Sequence, residues 1–172
     1  MNERTTILDL LMMSITDRNK LLEEMEDAYE NRLVEYFKGL LKHEDYTIRA
    51  RAVCILVDIA GEEAVDDIIQ VLLNDTNALV RHEAAYSLGQ LGYAKAVDAL
   101  IHAMLNDPNP FVRHESAIAL GVIGSERARD ALTKALNDES EEVRESAIIA
   151  LANLDYLAYA KSKSRFTRMT GG

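Results

Sequence analysis

One cysteine, Cys54, is present in 172 residues, so no disulfide can form within the chain. Proline occurs twice, at Pro108 and Pro110, both in one short linker where neither can break a helix. No apolar run approaches the length of about 20 residues that crosses a bilayer. The opening stretch MNERTTILDLLMMSITDRNK carries acids and polar residues where a secretory leader would be basic and then continuously apolar. These absences lead to the expectation of a cytoplasmic protein with no membrane role. Positive charge is also short: 19 Lys and Arg stand against 29 Asp and Glu, a net charge of −10.

The last twelve residues, KSKSRFTRMTGG, hold Lys161, Lys163, Arg165 and Arg168 and no acid, so the rest of the chain carries −14. A surface of that sign repels phosphate backbones, and no nucleic-acid partner is expected. A basic protein or peptide suits it better. What the chain does have is apolar content, 48% hydrophobic residues with 28% charged, which is the composition of a folded globular protein.

That apolar content is periodic. TIRARAVCILVDIAGEEAVDDIIQVLLND, LVRHEAAYSLGQLGYAKAVDALIHAMLND, FVRHESAIALGVIGSERARDALTKALND and EVRESAIIALANLDYLAYA align on Ile48, Val80, Val112 and Val143. Spacings of 32, 32 and 31 residues between those positions predict a stack of helical hairpins. In one unit, Val80, Ala84, Leu88 and Leu91 mark a first amphipathic helix, and Val97, Leu100 and Met104 mark a second after Gly92. The Asn-Asp pairs beginning at Asn74, Asn106 and Asn137 punctuate the units as turn and capping residues. Small residues, among them Gly89 and Gly121, let neighbouring helices approach.

Ahead of the repeats, apolar stretches from Ile7 to Met13 and from Leu21 to Leu41 predict two helices, with Thr16 or Asp17 capping the second. Leu40 and Leu41 align with Leu72 and Leu73, so the longer of the two is expected to be the second helix of a diverged first unit. The expected layout is capping helices over 1–41, repeats over 42–157 and a flexible basic tail over 158–172.

The pattern VRxxAAxxLGxLG followed by AVxxLIxxL resembles the HEAT-like repeats of the family that includes the phycobilin lyase subunits, over nearly all of 40–154. The resemblance implies an all-α fold, a HEAT-like α/α superhelical solenoid. Within it, RHEAAYSLGQLG and RHESAIALGVIG resemble the tandem His-Glu repeats of the deoxyhypusine hydroxylases, di-iron monooxygenases that act on a modified lysine of a translation factor. Carried over, that resemblance implies His82, Glu83, His114 and Glu115 as metal ligands, iron as one ion or two, and O2-dependent hydroxylation. The hydroxylases have two such pairs of repeats and this chain has one. The equivalent slots in the flanking units hold Ala50-Arg51 and Glu145-Ser146, so a homodimer is expected to supply the other half.

The residue types suit that chemistry. Imidazole and carboxylate form a mixed nitrogen and oxygen donor set that accepts iron or manganese. Only four histidines occur, and two fall in one slot of adjacent units. The alternative is a non-catalytic scaffold for protein binding, because the charged slot after Val-Arg is common to such repeats. Tyr86, one turn after His82, reads first as a packing residue, and Cys54 as a small core residue. His43 falls out of register and reads as a solvated loop residue, and His102, in a slot that holds Gln70 in the preceding unit and Thr133 or Lys134 in the following one, reads as exposed.

Overall fold

A computed structural model describes residues 7–163, with side chains described from 17 onward except that of residue 18. Its helices are α1 (Ile7–Glu30), α2 (Val34–Leu40), α3 (Tyr46–Ala60), α4 (Val65–Asn74), α5 (Ala78–Leu91), α6 (Val97–Asn106), α7 (Pro110–Ile123), α8 (Arg129–Ala135) and α9 (Glu141–Ser162). Short 3-10 turns at Gly61–Ala64, Ala94–Ala96 and Glu126–Ala128 lead into α4, α6 and α8. No strand occurs among the described residues, so the fold is the expected all-α solenoid. No described helix is long and apolar enough to cross a membrane.

Helices α3, α5, α7 and α9 lie side by side in one layer, and α4, α6 and α8 form a second. Each second helix packs on the first helix of the following unit, as α4 does on α5 and α6 on α7. The repeated apolar slots make this core: Ile48, Val80, Val112 and Val143 are buried at one level, and Leu56, Leu88 and Leu120 two turns on. From the second layer Ile68, Leu100 and Leu132 meet them. No unit could bury these faces alone, so the stack is stabilised by neighbour on neighbour.

The caps explain where each helix starts and stops. Asp45, Asn77, Asn109 and Ser140 each accept a backbone N–H of the first turn of α3, α5, α7 and α9. Pro110 occupies the first turn of α7, where its missing N–H costs nothing. Gly92 and Gly124 end α5 and α7 in the left-handed region at φ 71° and 67°. The aligned position in α9 is Asp155, and with no glycine there α9 runs on for two more turns to Ser162.

Two expectations change. The N-terminal segment is not broken near Thr16 or Asp17: α1 runs through both, because no glycine or proline stops it there. The break falls at 31–33, where Arg32 adopts φ 51° and the Leu33 N–H returns to the Ala28 carbonyl at 2.9 Å. The tail expected over 158–172 is helical as far as Ser162, and residues 164–172 lie outside the described residues. As expected, Asn74 and Asn106 close the second helices by reaching back to helix-end carbonyls, and Asn77 and Asn109, three residues later, cap the starts of the next helices.

A ladder of ion pairs runs down the loop side of the stack. Arg49 grips Asp75 through two N–H donors at 2.6 and 2.9 Å, Arg81 grips Asp107 at 2.7 and 2.9 Å, and Arg113 grips Asp138 at 2.9 Å twice. Each of these arginines donates again to a carbonyl of the turn before its own helix, as Arg81 does to the Asp75 carbonyl. Burial alone would raise the Asp75 and Asp138 carboxyls. The hydrogen bonds from Arg49 and Arg113, and from the Asn77 and Ser140 N–H groups, outweigh it and hold both below the ordinary aspartate value. A depressed pKa contributes stability that is fully present above the unfolded value of about 3.9 and is lost as pH falls through the folded one. Acid titration of stability should therefore steepen below about pH 4, and Asp138→Asn should flatten that limb while lowering stability at neutral pH. An unchanged acid limb would contradict the assignment.

Candidate ligand ridge

The first turns of α5 and α7 begin at Asn77 and Asn109, and this fixes the rotation of both helices about their axes. His82 and His114 then point along the stack toward the next unit, while Glu83 and Glu115 reach back toward the preceding one. The result is a set of pairs across the gaps between first helices. Between α5 and α7, His82 Nε2 lies 3.4 Å from Glu115 Oε2. Between α7 and α9, Ser146 Oγ lies 2.7 Å from His114 Nδ1. Between α3 and α5, the Cys54 thiol donates to Glu83 Oε1 at 3.0 Å.

The four residues therefore share one ridge but not one point. Only His82 and Glu115 meet each other. Among the described residues, no group of three or more His, Cys, Asp or Glu side chains is placed to hold a metal ion. As a test of fit for iron, the chain offers one imidazole and one carboxylate at a single gap, with the right donor chemistry but too few donors for a di-iron centre.

Two details bear on ligand binding. His82 Nδ1 is buried with no hydrogen-bond partner, an unusual state for a ring nitrogen. At His114, the Ser146 hydroxyl donates to the Glu142 carbonyl at 2.8 Å, so Nδ1–H must be the donor to Ser146 Oγ. That tautomer leaves the lone pair on Nε2.

Cys54 is not the core residue expected. It is exposed on the same line as Tyr86 and Ile149, while Ile118 in the same slot of the intervening unit is half-buried. Partial burial of its thiol, and then the neighbouring Glu83, push its pKa up to about 12, so it is a protonated donor and not a nucleophile. Tyr86, at 47% exposure, is about half-buried on that line, as expected. His102 is exposed beside Asn106, and His43 Nδ1 accepts the Asp45 N–H within a turn. Around the paired gap the ridge is apolar: Ala78, Leu79, His82, Asn109 and Phe111 line a shallow cavity of about 370 Å³.

The sequence reading missed two contributors. Ser146 takes the slot that Glu115 holds one unit earlier and receives His114; the alignment gave the position but not the partnership. The ion-pair ladder was also readable, since each Arg and its Asp stand 26 residues apart, or 25 in the unit with the one-residue deletion.

Comparison with known proteins agrees with this architecture. The family model for HEAT repeats matches residues 33–121, 65–152 and 99–167. A solved structure of human deoxyhypusine hydroxylase in complex with glycerol superposes with a TM-score of 0.67 at 27% sequence identity. The match covers 84% of this chain and 49% of that one, so the chain spans about half the length of the hydroxylase. No curated protein matches the chain.

Proposed function

The chain belongs to the HEAT-repeat family, and from that premise we propose that it is a binding module that holds a basic polypeptide against the exposed face of α5, α7 and α9. The observation that carries this reading is the line of large apolar side chains left in water there: Leu79 at 55% exposure, Phe111 at 65% and Ile149 at 68%, with Tyr86 beside them. Apolar anchors of this kind contribute affinity once covered, and a body charge of −14 steers a cationic partner toward them. A labelled lysine- and leucine-rich peptide, compared by fluorescence anisotropy with its glutamate counterpart, tests it. The basic peptide should bind, salt should weaken it, and Phe111→Asp should cut affinity about tenfold or more with the fold intact. Equal binding of the two peptides, or no effect of Phe111→Asp, would sink the proposal.

A second reading is favoured by the unpartnered Nδ1 of His82 beside Glu115 and by the likeness to half of a hydroxylase. In it, His82, Glu83, His114 and Glu115 are the ligand pool of an iron site that a second copy of the chain completes, with His82 and Glu115 the first pair engaged. Bound iron, one ion or two, would supply O2 activation for hydroxylation of a protein side chain. Elemental analysis decides it: about one iron per chain, lost in His82→Ala, supports it. Metal-free protein that takes up no ferrous iron under anaerobic conditions removes it.

A further inference from the structure

Helix α9 packs on α7 and α8 with one side only, through Val143, Ser146, Ala147, Ala150 and Leu154. The opposite side is a stripe of exposed residues: Glu141, Glu145, Ile148, Ala152, Tyr156 and Tyr159, with Lys163 at the helix end. At about 100° per residue all lie within about 40° of Ala152, on the four-and-three spacing of a helix that packs along another. Ile148 and Tyr159 are each 57% exposed and Tyr156 39%. The middle of the stripe, Ile148, Ala152, Tyr156 and Tyr159, is left uncovered by the described residues, with charged groups only toward its ends.

The stripe is not shaped for another unit of the same stack. Ala152 occupies the slot of Gly89 and Gly121, where a Cβ would lie 2.9 Å from an atom of the next helix. One turn earlier, internal units hold Ala85 and Ala117, both fully buried, where α9 holds Ile148. A branched side chain there keeps a neighbour at the wider separation of about 8 to 10 Å usual between packed helices.

The stripe is complementary to itself when reversed. About Ala152 as centre, Ile148 is four residues before and Tyr156 four after; Glu145 is seven before and Tyr159 seven after; Glu141 is eleven before and Lys163 eleven after. An antiparallel pair thus sets apolar against apolar at the middle and Glu141 of each copy against Lys163 of the other at both ends. We propose that this face of α9 is the contact for a second copy of the chain, joined across a two-fold axis near Ala152. The pair is a double-length stack with two binding ridges on one molecule. Three helix-to-helix gaps then separate His114 from its twin, roughly 25 to 30 Å, so this pairing doubles the ridge and is distinct from the one that an iron site shared between two copies requires.

Sedimentation equilibrium on the full chain over a concentration series tests this. The expected result is a reversible monomer–dimer equilibrium from the 19.2 kDa chain. Ile148→Asp should weaken it roughly thirtyfold or more, with unchanged thermal stability because the site is exposed. Glu141→Lys and Lys163→Glu should each weaken it, and the two together in one chain should restore it. Peptide binding, measured on the monomeric variants, keeps this proposal separate from that for the ridge. A chain that stays monomeric to about 1 mM, whether its own tail or nothing covers α9, overturns the proposal. So does a dimer indifferent to Ile148→Asp and to both charge reversals.

Discussion

Arg81→Ala is expected to lower stability by about 3 to 5 kcal/mol in urea unfolding, among the largest effects of any single substitution in the chain. The reason lies in what stays behind. The Arg81 and Asp107 side chains are 11% and 6% exposed, so the Asp107 carboxylate loses its bidentate partner with little water to replace it. The Asp75 carbonyl, which also accepts from Arg81, is stranded with it. The damage should also be local in an informative way. In a stack held by nearest neighbours, weakening one rung separates the units on either side, so unfolding should lose its single sharp transition. Lys95→Ala supplies the contrast. Lys95 pairs with Asp66 across the same layer, but the two are 55% and 68% exposed, and their loss should stay within about 0.5 kcal/mol. If the two substitutions cost alike, burial is not what gives the ladder its strength.

The ladder also marks the limit of what could be read from the sequence. Period, hairpins and layer order follow from where Val, Ala, Leu and Gly recur, since apolar spacing reports directly which side of a helix is covered. Lengths were harder. The break at Arg32 lies in a stretch without glycine or proline, and the weak helix formers Ser14, Thr16, Asp17 and Asn19 imitate a boundary that the α1 backbone does not make. The extent of α9 was written in an absence, Asp155 where Gly92 and Gly124 stand in α5 and α7. For the ridge, the repeat alignment put His82 with His114 and Glu83 with Glu115 in matching slots, and each matching pair points the same way along the stack. It could not give their partners. Adjacent residues on a helix diverge by about 100°, and here that divergence sends each His forward and each Glu back into different gaps. Whether Ser146, Cys54 or a second acid waits there depends on the neighbouring unit, so four residues that look like a cluster in one dimension become three separate pairs.

Gly121→Ala should cost about 1 to 3 kcal/mol, although alanine is ordinarily the better helix former by roughly 0.8 to 1.0 kcal/mol. A Cβ at Gly121 would stand 2.9 Å from Ala150 Cα and equally close to Ala150 Cβ, and backbone cannot swing aside as a side-chain tip can. To relieve the contact α9 must move off α7. The same motion would stretch the His114–Ser146 contact and the Asn153 hydrogen bond to the Gly121 carbonyl, both of which cross that gap. Gly89→Ala repeats the test one unit earlier, where the Cβ meets Ala119 and the motion would open the His82–Glu115 gap. Gly39 is the control: it is exposed on the outer side of α2 with nothing within 4 Å of a Cβ, so alanine there should stabilise by about 0.5 to 1 kcal/mol. Opposite signs at Gly39 and Gly121, read as urea midpoints, would show that the glycines of the first helices are kept for close approach and that helix spacing sets the geometry of the ridge. A stabilising Gly121→Ala would mean that α7 and α9 can separate freely, and that the ridge pairs do not depend on how tightly the units stack.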